Sequence, residues 1–239
     1  MEIIKKIIKK QENLHESRQP VIAFLGDSVT QGCFELFMQD GRIKPATRAS
    51  EGYSSKVKEL LELLYPTVPV NIINAGISGD SAFGGLRRLE RDVLSYKPDL
   101  VVVCFGINDS GLEADGLERY KESLAGIFDG IKSFGAEIIF MTPSLKTDVV
   151  DEVMEEPMEK IALDVARNER EGWLEKYISE AKKICAEKDV TICDCHRKWM
   201  LLRENKVNIN GILSNKINHP VEKMHWLFAY ELVSTMFEK

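Results

Sequence analysis

Positive charge is not in excess in this sequence: 32 Lys and Arg stand against 38 Asp and Glu, a formal net charge of -6. Nucleic-acid binding needs a basic patch or stripe to neutralise phosphates, and with none in the chain no nucleic-acid partner is expected. The cysteines, Cys33, Cys104, Cys185, Cys193 and Cys195, are odd in number and lack the paired spacing of a zinc site or a disulfide framework. Cys193 and Cys195 flank Asp194 just before His196, and this C-D-C run reads as a strand end rather than a set of metal ligands. A Walker lysine, a G-x-G-x-x-G run, an internal repeat and a linker rich in Gly, Pro or Ser are all missing. Long apolar runs are missing too: in "MEIIKKIIKKQENLHESRQ" lysine pairs interrupt the isoleucines, so no secretory leader is signalled and a reducing cytoplasm is the expected location.

What is present fits one large α/β domain: 239 residues, 44% hydrophobic and 29% charged. Five short apolar runs rich in β-branched residues read as buried strands: Val21 to Leu25, Val70 to Ile73, Leu100 to Phe105, Glu137 to Met141 and Val190 to Cys193. Between them lie helical patterns, with apolar residues at Val57, Leu60, Leu61 and Leu64, then Leu86, Leu89, Val93 and Leu94, then Tyr120, Leu124, Ile127, Phe128 and Ile131. The alternation calls for a parallel sheet covered on both faces by right-handed crossovers. A last helical pattern, Val221 to Phe237, should pack back on that sheet.

Residues 1–19 form an amphipathic helical extension with Ile3, Ile4, Ile7 and Ile8 on one face. The favoured reading packs it on the domain or against a second subunit, which leaves a homo-oligomer open; a membrane-surface helix is the lesser alternative. Residues 33–50 have no clear period and read as a loop, and the acidic stretch 144–160 as a mobile flap or a solvated helix. Both are candidate walls of a substrate site, because loops at strand C-termini carry ligands in open α/β sheets.

Three strand ends carry unusual polar residues: Gly26-Asp27-Ser28, "NAGISGDS" over residues 74–81, and "GINDS" over residues 106–110. In a doubly wound sheet these ends converge. A serine attacking an ester carbonyl needs preorganised donors for the developing oxyanion. The N–H groups of Ser28 and Gly79 and the Asn108 side-chain amide could supply them. The serine also needs a base, most often an imidazole. His15 and His196 read as surface or strand-end residues and His225 as packed in the last helix; His219, just before Pro220, is the candidate base. Asp27 suits bracing the turn. Asn74 and Asp80 read as satisfying loop amides, and Asp109 and Arg87 as a possible pair between neighbouring loops.

"GDS" with Ser28, "GISGD" with Gly79, "GIND" with Asn108 and "NHP" with His219 resemble, in order, the four sequence blocks of the SGNH hydrolases, the GDSL esterase and lipase family. The resemblance spans residues 26–220. It implies a flavodoxin-like three-layer α/β/α sandwich around a central five-stranded parallel sheet, and ester hydrolysis through an acyl-serine. Ser28 is then nucleophile, Gly79 and Asn108 oxyanion donors and His219 base, with no metal or organic cofactor. One departure stands out. The family's aspartate three residues before the histidine is Lys216 here. A backbone carbonyl is the favoured replacement, ahead of Asn215, Asn218 or a distant carboxylate. The expected substrate is a small O-acyl ester, an acetylated carbohydrate or related polar metabolite. A thioesterase or acyltransferase would use the same site, and a noncatalytic SGNH-like binding module or a flavin or nucleotide protein are readings of another class.

Overall fold

A computed structural model describes residues 1–150, 154 and 156–238. Helix α1 (Glu2–Glu12) leads into strand β1 (Val21–Gly26) and helix α2 (Ser28–Gln31), followed by β2 (Cys33–Gln39), β3 (Arg42–Thr47), α3 (Tyr53–Leu64), β4 (Asn71–Gly76) and α4 (Ala82–Asp92). The chain continues through β5 (Leu100–Cys104), α5 (Glu113–Phe134), β6 (Glu137–Met141), α6 (Met158–Arg170), α7 (Trp173–Glu187), β7 (Thr191–Cys193), α8 (Cys195–Glu204) and α9 (His225–Phe237).

The apolar runs of β1 and β5 have no polar face, so a strand made from them is stable only with both sides covered. Their side chains alternate accordingly. Ile22, Phe24, Leu100 and Val102 enter a core shared with Val57 and Leu61 of α3 and Phe228 and Leu232 of α9. Ala23, Leu25, Val101 and Val103 enter a second core with Leu89 of α4 and Leu124, Ile127 and Phe128 of α5. Each fully buried aliphatic or aromatic side chain contributes roughly 1.5–3 kcal/mol, and this fixes the three-layer α/β/α arrangement.

The five parallel strands lie in the order β4-β1-β5-β6-β7. The direction of winding reverses between β1 and β5. Open α/β sheets bind ligands at the carboxyl ends of the strands flanking such a reversal, and the segments after β1, β4 and β5 carry the three polar loops.

Helix α1 lies on the domain: Ile3, Ile4 and Ile7 are buried, while Ile8, expected on the same face, is 42% exposed. The amides of Glu2 and Ile3 donate to the Glu137 carboxylate at 2.8 and 2.6 Å, tying the helix start to β6. Among the described residues no helix is long and apolar enough to cross a membrane.

Two expectations need correction. Residues 33–47 are an antiparallel hairpin rather than a loop. Its outer part buries neither face, so no apolar period forms, but Asp40 and Gly41 at its tip both have positive φ, the conformation that Asp-Gly favours in tight hairpins. The stretch 144–160 opens with Ser144, Lys146 and Thr147 buried rather than solvated, and α6 begins at Met158. Residues 151–153 and 155 of that stretch lie outside the described residues.

Candidate active site

Gly26 ends β1 where the chain has no room for a side chain: a Cβ there would lie 2.1 Å from Thr30 Oγ1 and 2.7 Å from the Cys104 carbonyl. Asp27 then caps α2, its Oδ1 accepting from the Val29 amide at 3.0 Å. Burial pushes the Asp27 carboxyl up to about 7, against the hydrogen bonds from Val29 and Thr30 and with a smaller push from the Asp109 and Asp80 charges. Asp27 thus braces the turn, and Ser28 occupies the first position of the short helix, only 4% exposed. As the first helical residue, its N–H has no partner within the helix.

His219 comes from the opposite end of the sequence and places Nε2 2.9 Å from Ser28 Oγ. Asn215 Oδ1 fixes the backbone behind it, accepting from the amides of Ile217, Asn218 and His219 at 3.1, 3.0 and 2.9 Å. The Ser214 amide closes the same turn on the His219 carbonyl at 2.7 Å. Asn215 therefore holds the backbone rather than the ring. On the ring's far side, Cys33 Sγ lies 3.6 Å from Nδ1, and the Phe34 carbonyl supplies the ring's backbone hydrogen bond. The same carbonyl accepts from Ser214 Oγ. A ring protonated at Nδ1, on the side of Cys33 and the Phe34 backbone, presents an Nε2 lone pair to the serine hydroxyl. Burial pushes the His219 imidazole down to about 4, and the Phe34 contact only partly opposes it.

The other two loops are tied to this centre. Ile77 donates to the Gly26 carbonyl at 3.1 Å and the Ser78 amide to Gln31 Oε1 at 2.8 Å. This holds the turn in which Gly79 adopts φ +77° with open space where a Cβ would point. Asn108 Nδ2 donates to the Asp80 carbonyl at 2.8 Å, linking the loop after β5 to the one after β4. The structure thus joins Ser28 and His219 directly, and Gly79 and Asn108 through their loops.

The expected Asp109–Arg87 pair is absent. Asp109 Oδ1 accepts from the Ala82 amide at 2.9 Å, and the Arg87 guanidinium stacks over Phe83. The buried cation is the neighbouring Arg88, which reaches Asp80 Oδ2 at 2.7 Å and the carbonyls of Ala75 and Gly26 at 2.5 and 3.0 Å. Its signal lay in helix spacing, since Arg88 follows buried Gly85 by one turn whereas Arg87 does not. Asp80, besides satisfying the Ser81 amide, is thus an ion-pair partner. Asn74, within β4 rather than in the loop, accepts from the Gly76 amide at 3.0 Å and donates to the Thr30 carbonyl at 2.9 Å.

His225 is buried at the start of α9, its Nδ1 accepting from the Tyr53 amide at 3.0 Å. His196 is also buried, not on the surface, and burial pushes its imidazole down to about 4. Lys146, Asn168 and Ser110, which sequence reasoning missed, form a buried cluster behind Asn108. Beside them is a cleft of about 290 Å³ bordered by Asn108, Lys146, Asp164, Arg167, Asn168 and Asn218.

Comparison with known proteins agrees with this architecture. The acetylxylan esterase of Geobacillus stearothermophilus is 32% identical over 136 residues, which cover 51% of this chain and 58% of that protein. An arylesterase of Vibrio mimicus is 32% identical over 98 residues, covering 38% of this chain and 48% of the other. The match therefore spans about half the length of these curated relatives. The crystal structure of the Geobacillus stearothermophilus acetylxylan esterase superposes with a TM-score of 0.68 at 22% identity, covering 92% of this chain and 95% of that one, which shows a common fold. Residues 24–227 match the GDSL-like lipase/acylhydrolase family, and the chain belongs to that family.

Proposed function

We propose that the protein is a serine esterase that removes small acyl groups, acetyl above all, from esters of carbohydrates or related polar metabolites. The observation that carries the reading is the 2.9 Å contact between Ser28 Oγ and His219 Nε2 at the carboxyl edge of the sheet. The acetylxylan esterase among its relatives supports the acetyl-carbohydrate assignment.

In this mechanism His219 Nε2 takes the Ser28 proton as Oγ attacks the ester carbonyl. The oxyanion is met by the N–H groups of Ser28 and Gly79 and by the second N–H of the Asn108 amide, the first being held by Asp80. Glycine suits its place because φ +77° and the open space above it let substrate approach the backbone. The protonated imidazole hands its proton to the leaving alkoxide oxygen, and water repeats the cycle on the acyl-serine. The Phe34 carbonyl keeps Nδ1 protonated and the ring facing Ser28, the role the family gives to an aspartate. We also assign the protein to a reducing compartment such as the cytoplasm, supported by its five free, buried thiols.

The test is hydrolysis of p-nitrophenyl acetate by wild type, Ser28→Ala and His219→Ala, with circular dichroism to confirm folding. Activity in wild type and at least a roughly 1,000-fold loss in both variants is expected, as for other serine–imidazole pairs. A folded wild type inactive on this ester and on a panel of short esters would replace the reading with a noncatalytic binding module.

A further inference from the structure

The chemistry at Ser28 dictates where a leaving group must lie. An ester whose carbonyl oxygen faces Asn108, and whose leaving oxygen is protonated by His219, extends its alcohol portion between these two residues. The cleft of about 290 Å³ opens beside that path: Asn108 forms one wall and Asn218, the neighbour of His219, another, while Ser28 and His219 themselves do not line it. Its volume is at the small end of ligand pockets, which run roughly 300–1,000 Å³, and so suits a compact leaving group.

The remaining wall has a mixed chemistry. Lys146 is 2% exposed, and its ammonium donates to Ser110 Oγ at 3.0 Å and Asn168 Oδ1 at 2.5 Å. Both partners are neutral, no carboxylate among the described residues is in salt-bridge contact with it, and an ammonium has three N–H donors. One donor is left on a side chain that borders the cleft. Asp164, on the exposed side of α6, makes neither a hydrogen bond nor an ion pair among the described residues, and its carboxylate is an acceptor on the same cleft. An apolar leaving group would leave both groups unmet, at a cost of about 1–3 kcal/mol for each one desolvated. An anionic one would face Asp164, the Lys146 charge is already partly balanced by nearby Glu169, and the Arg167 guanidinium on the same border is paired with Glu113 at 2.9 Å and Glu171 at 3.3 Å. A neutral polyol answers both, since each hydroxyl donates and accepts.

We propose that this cleft is the leaving-group subsite of the esterase and selects a sugar, with Lys146 donating to one hydroxyl oxygen and Asp164 accepting from a neighbouring hydroxyl. The assignment rests on the esterase reading for its orientation, and on the cleft's own residues for its chemistry.

The experiment compares kcat and KM for a mono-O-acetylated methyl xyloside and for p-nitrophenyl acetate, whose leaving group has no free hydroxyl donor pair. Asp164→Ala should lower the sugar-to-nitrophenyl ratio of kcat/KM about 5-fold, mainly through KM, as loss of one hydrogen bond implies. Lys146→Met should lower that ratio about 10-fold or more, as loss of a charged donor implies. Because Lys146 also supports Ser110, Asp164→Ala is the cleaner variant. In parallel, methyl xyloside is titrated calorimetrically into Ser28→Ala, alone and combined with Asp164→Ala. Ratios unchanged in both variants, with xyloside binding absent or insensitive to Asp164, would overturn the subsite while Ser28-dependent hydrolysis of p-nitrophenyl acetate left the esterase intact. Xyloside binding weakened by Asp164→Ala in a protein that hydrolyses neither ester would keep the sugar site and remove the esterase.

Discussion

At His219 the family's usual carboxylate is replaced by a neutral oxygen. A carboxylate would stabilise the imidazolium formed during attack by direct charge, whereas the Phe34 carbonyl offers only a dipole. Burial therefore dominates, and the ring's pKa falls to about 4 from its ordinary value near 6.5. As the proposed base, His219 works when neutral, so its active fraction is nearly complete above about pH 5 and lost as pH falls through 4. We expect kcat/KM for p-nitrophenyl acetate to stay level from pH 8 down to about pH 5 and then fall with unit slope, with circular dichroism confirming that the protein is folded at each point. A midpoint near 6.5 would mean that water or a carboxylate reaches the ring. Of this arrangement the sequence named Ser28, Gly79, Asn108 and His219 as candidates through their motifs, and showed the absence of an acid at Lys216. It could not identify Phe34, because a backbone carbonyl is contributed by position alone and leaves no residue signature. Asn215 was visible as a candidate, but only the fold shows that it binds three amides of the turn.

Among the elements, the strand ends are held by a side chain as well as by the sheet. Arg88 of α4 bridges the last carbonyl of β1, the penultimate carbonyl of β4 and the Asp80 carboxylate, all from a position 6% exposed. Removing a buried ion-pair partner leaves the other charge desolvated, which costs roughly 3–5 kcal/mol. Arg88→Met should therefore lower the unfolding free energy by about 3 kcal/mol or more in urea titrations. Arg88→Lys should recover little, since a single ammonium cannot reproduce the planar fork that spans three acceptors. A loss below about 1 kcal/mol, the value of an exposed pair, would show that this bridge does not anchor the strand ends. The elements themselves were largely legible: β1, β5 and β6 follow from apolar runs too uniform for one-sided burial, β4 and β7 at the sheet edges from shorter runs, and α3, α4, α5 and α9 from their spacing. The hairpin of β2 and β3 was not, because it projects Phe37, Met38 and Ile43 into solvent and so carries no buried face to set a period. Arg88 was missed for a related reason, as a charged residue on a helix is read as solvated until the packing of its face is known.

Over the whole molecule, buried titratable groups oppose one another. Burial pushes His196, His219 and His225 down to about 4, 4 and 3. Each binds a proton in the unfolded chain near pH 6.5 before it does so in the folded one. Their contribution to stability is complete above the unfolded pKa and is lost as pH falls toward the folded value. Asp27 and Asp109 run the other way, pushed up by burial to about 7 and 6, and Glu169 is raised as well. The folded state holds their protons where the unfolded state has released them, so their contribution is complete below the unfolded pKa and is lost as pH rises through the folded one. Between pH 5 and 7 the two sets partly cancel, so stability should depend on pH less steeply than the histidines alone would make it. Asp27→Asn removes one opposing proton while leaving an oxygen to cap Val29. Its unfolding free energy should then rise with pH more steeply than that of wild type, by up to one proton, about 1.4 kcal/mol per pH unit. Urea midpoints and slopes at pH 5, 6 and 7 for the two proteins measure this directly. Parallel curves would mean that Asp27 is already ionised in the native state across this range, its hydrogen bonds from Val29 and Thr30 outweighing burial.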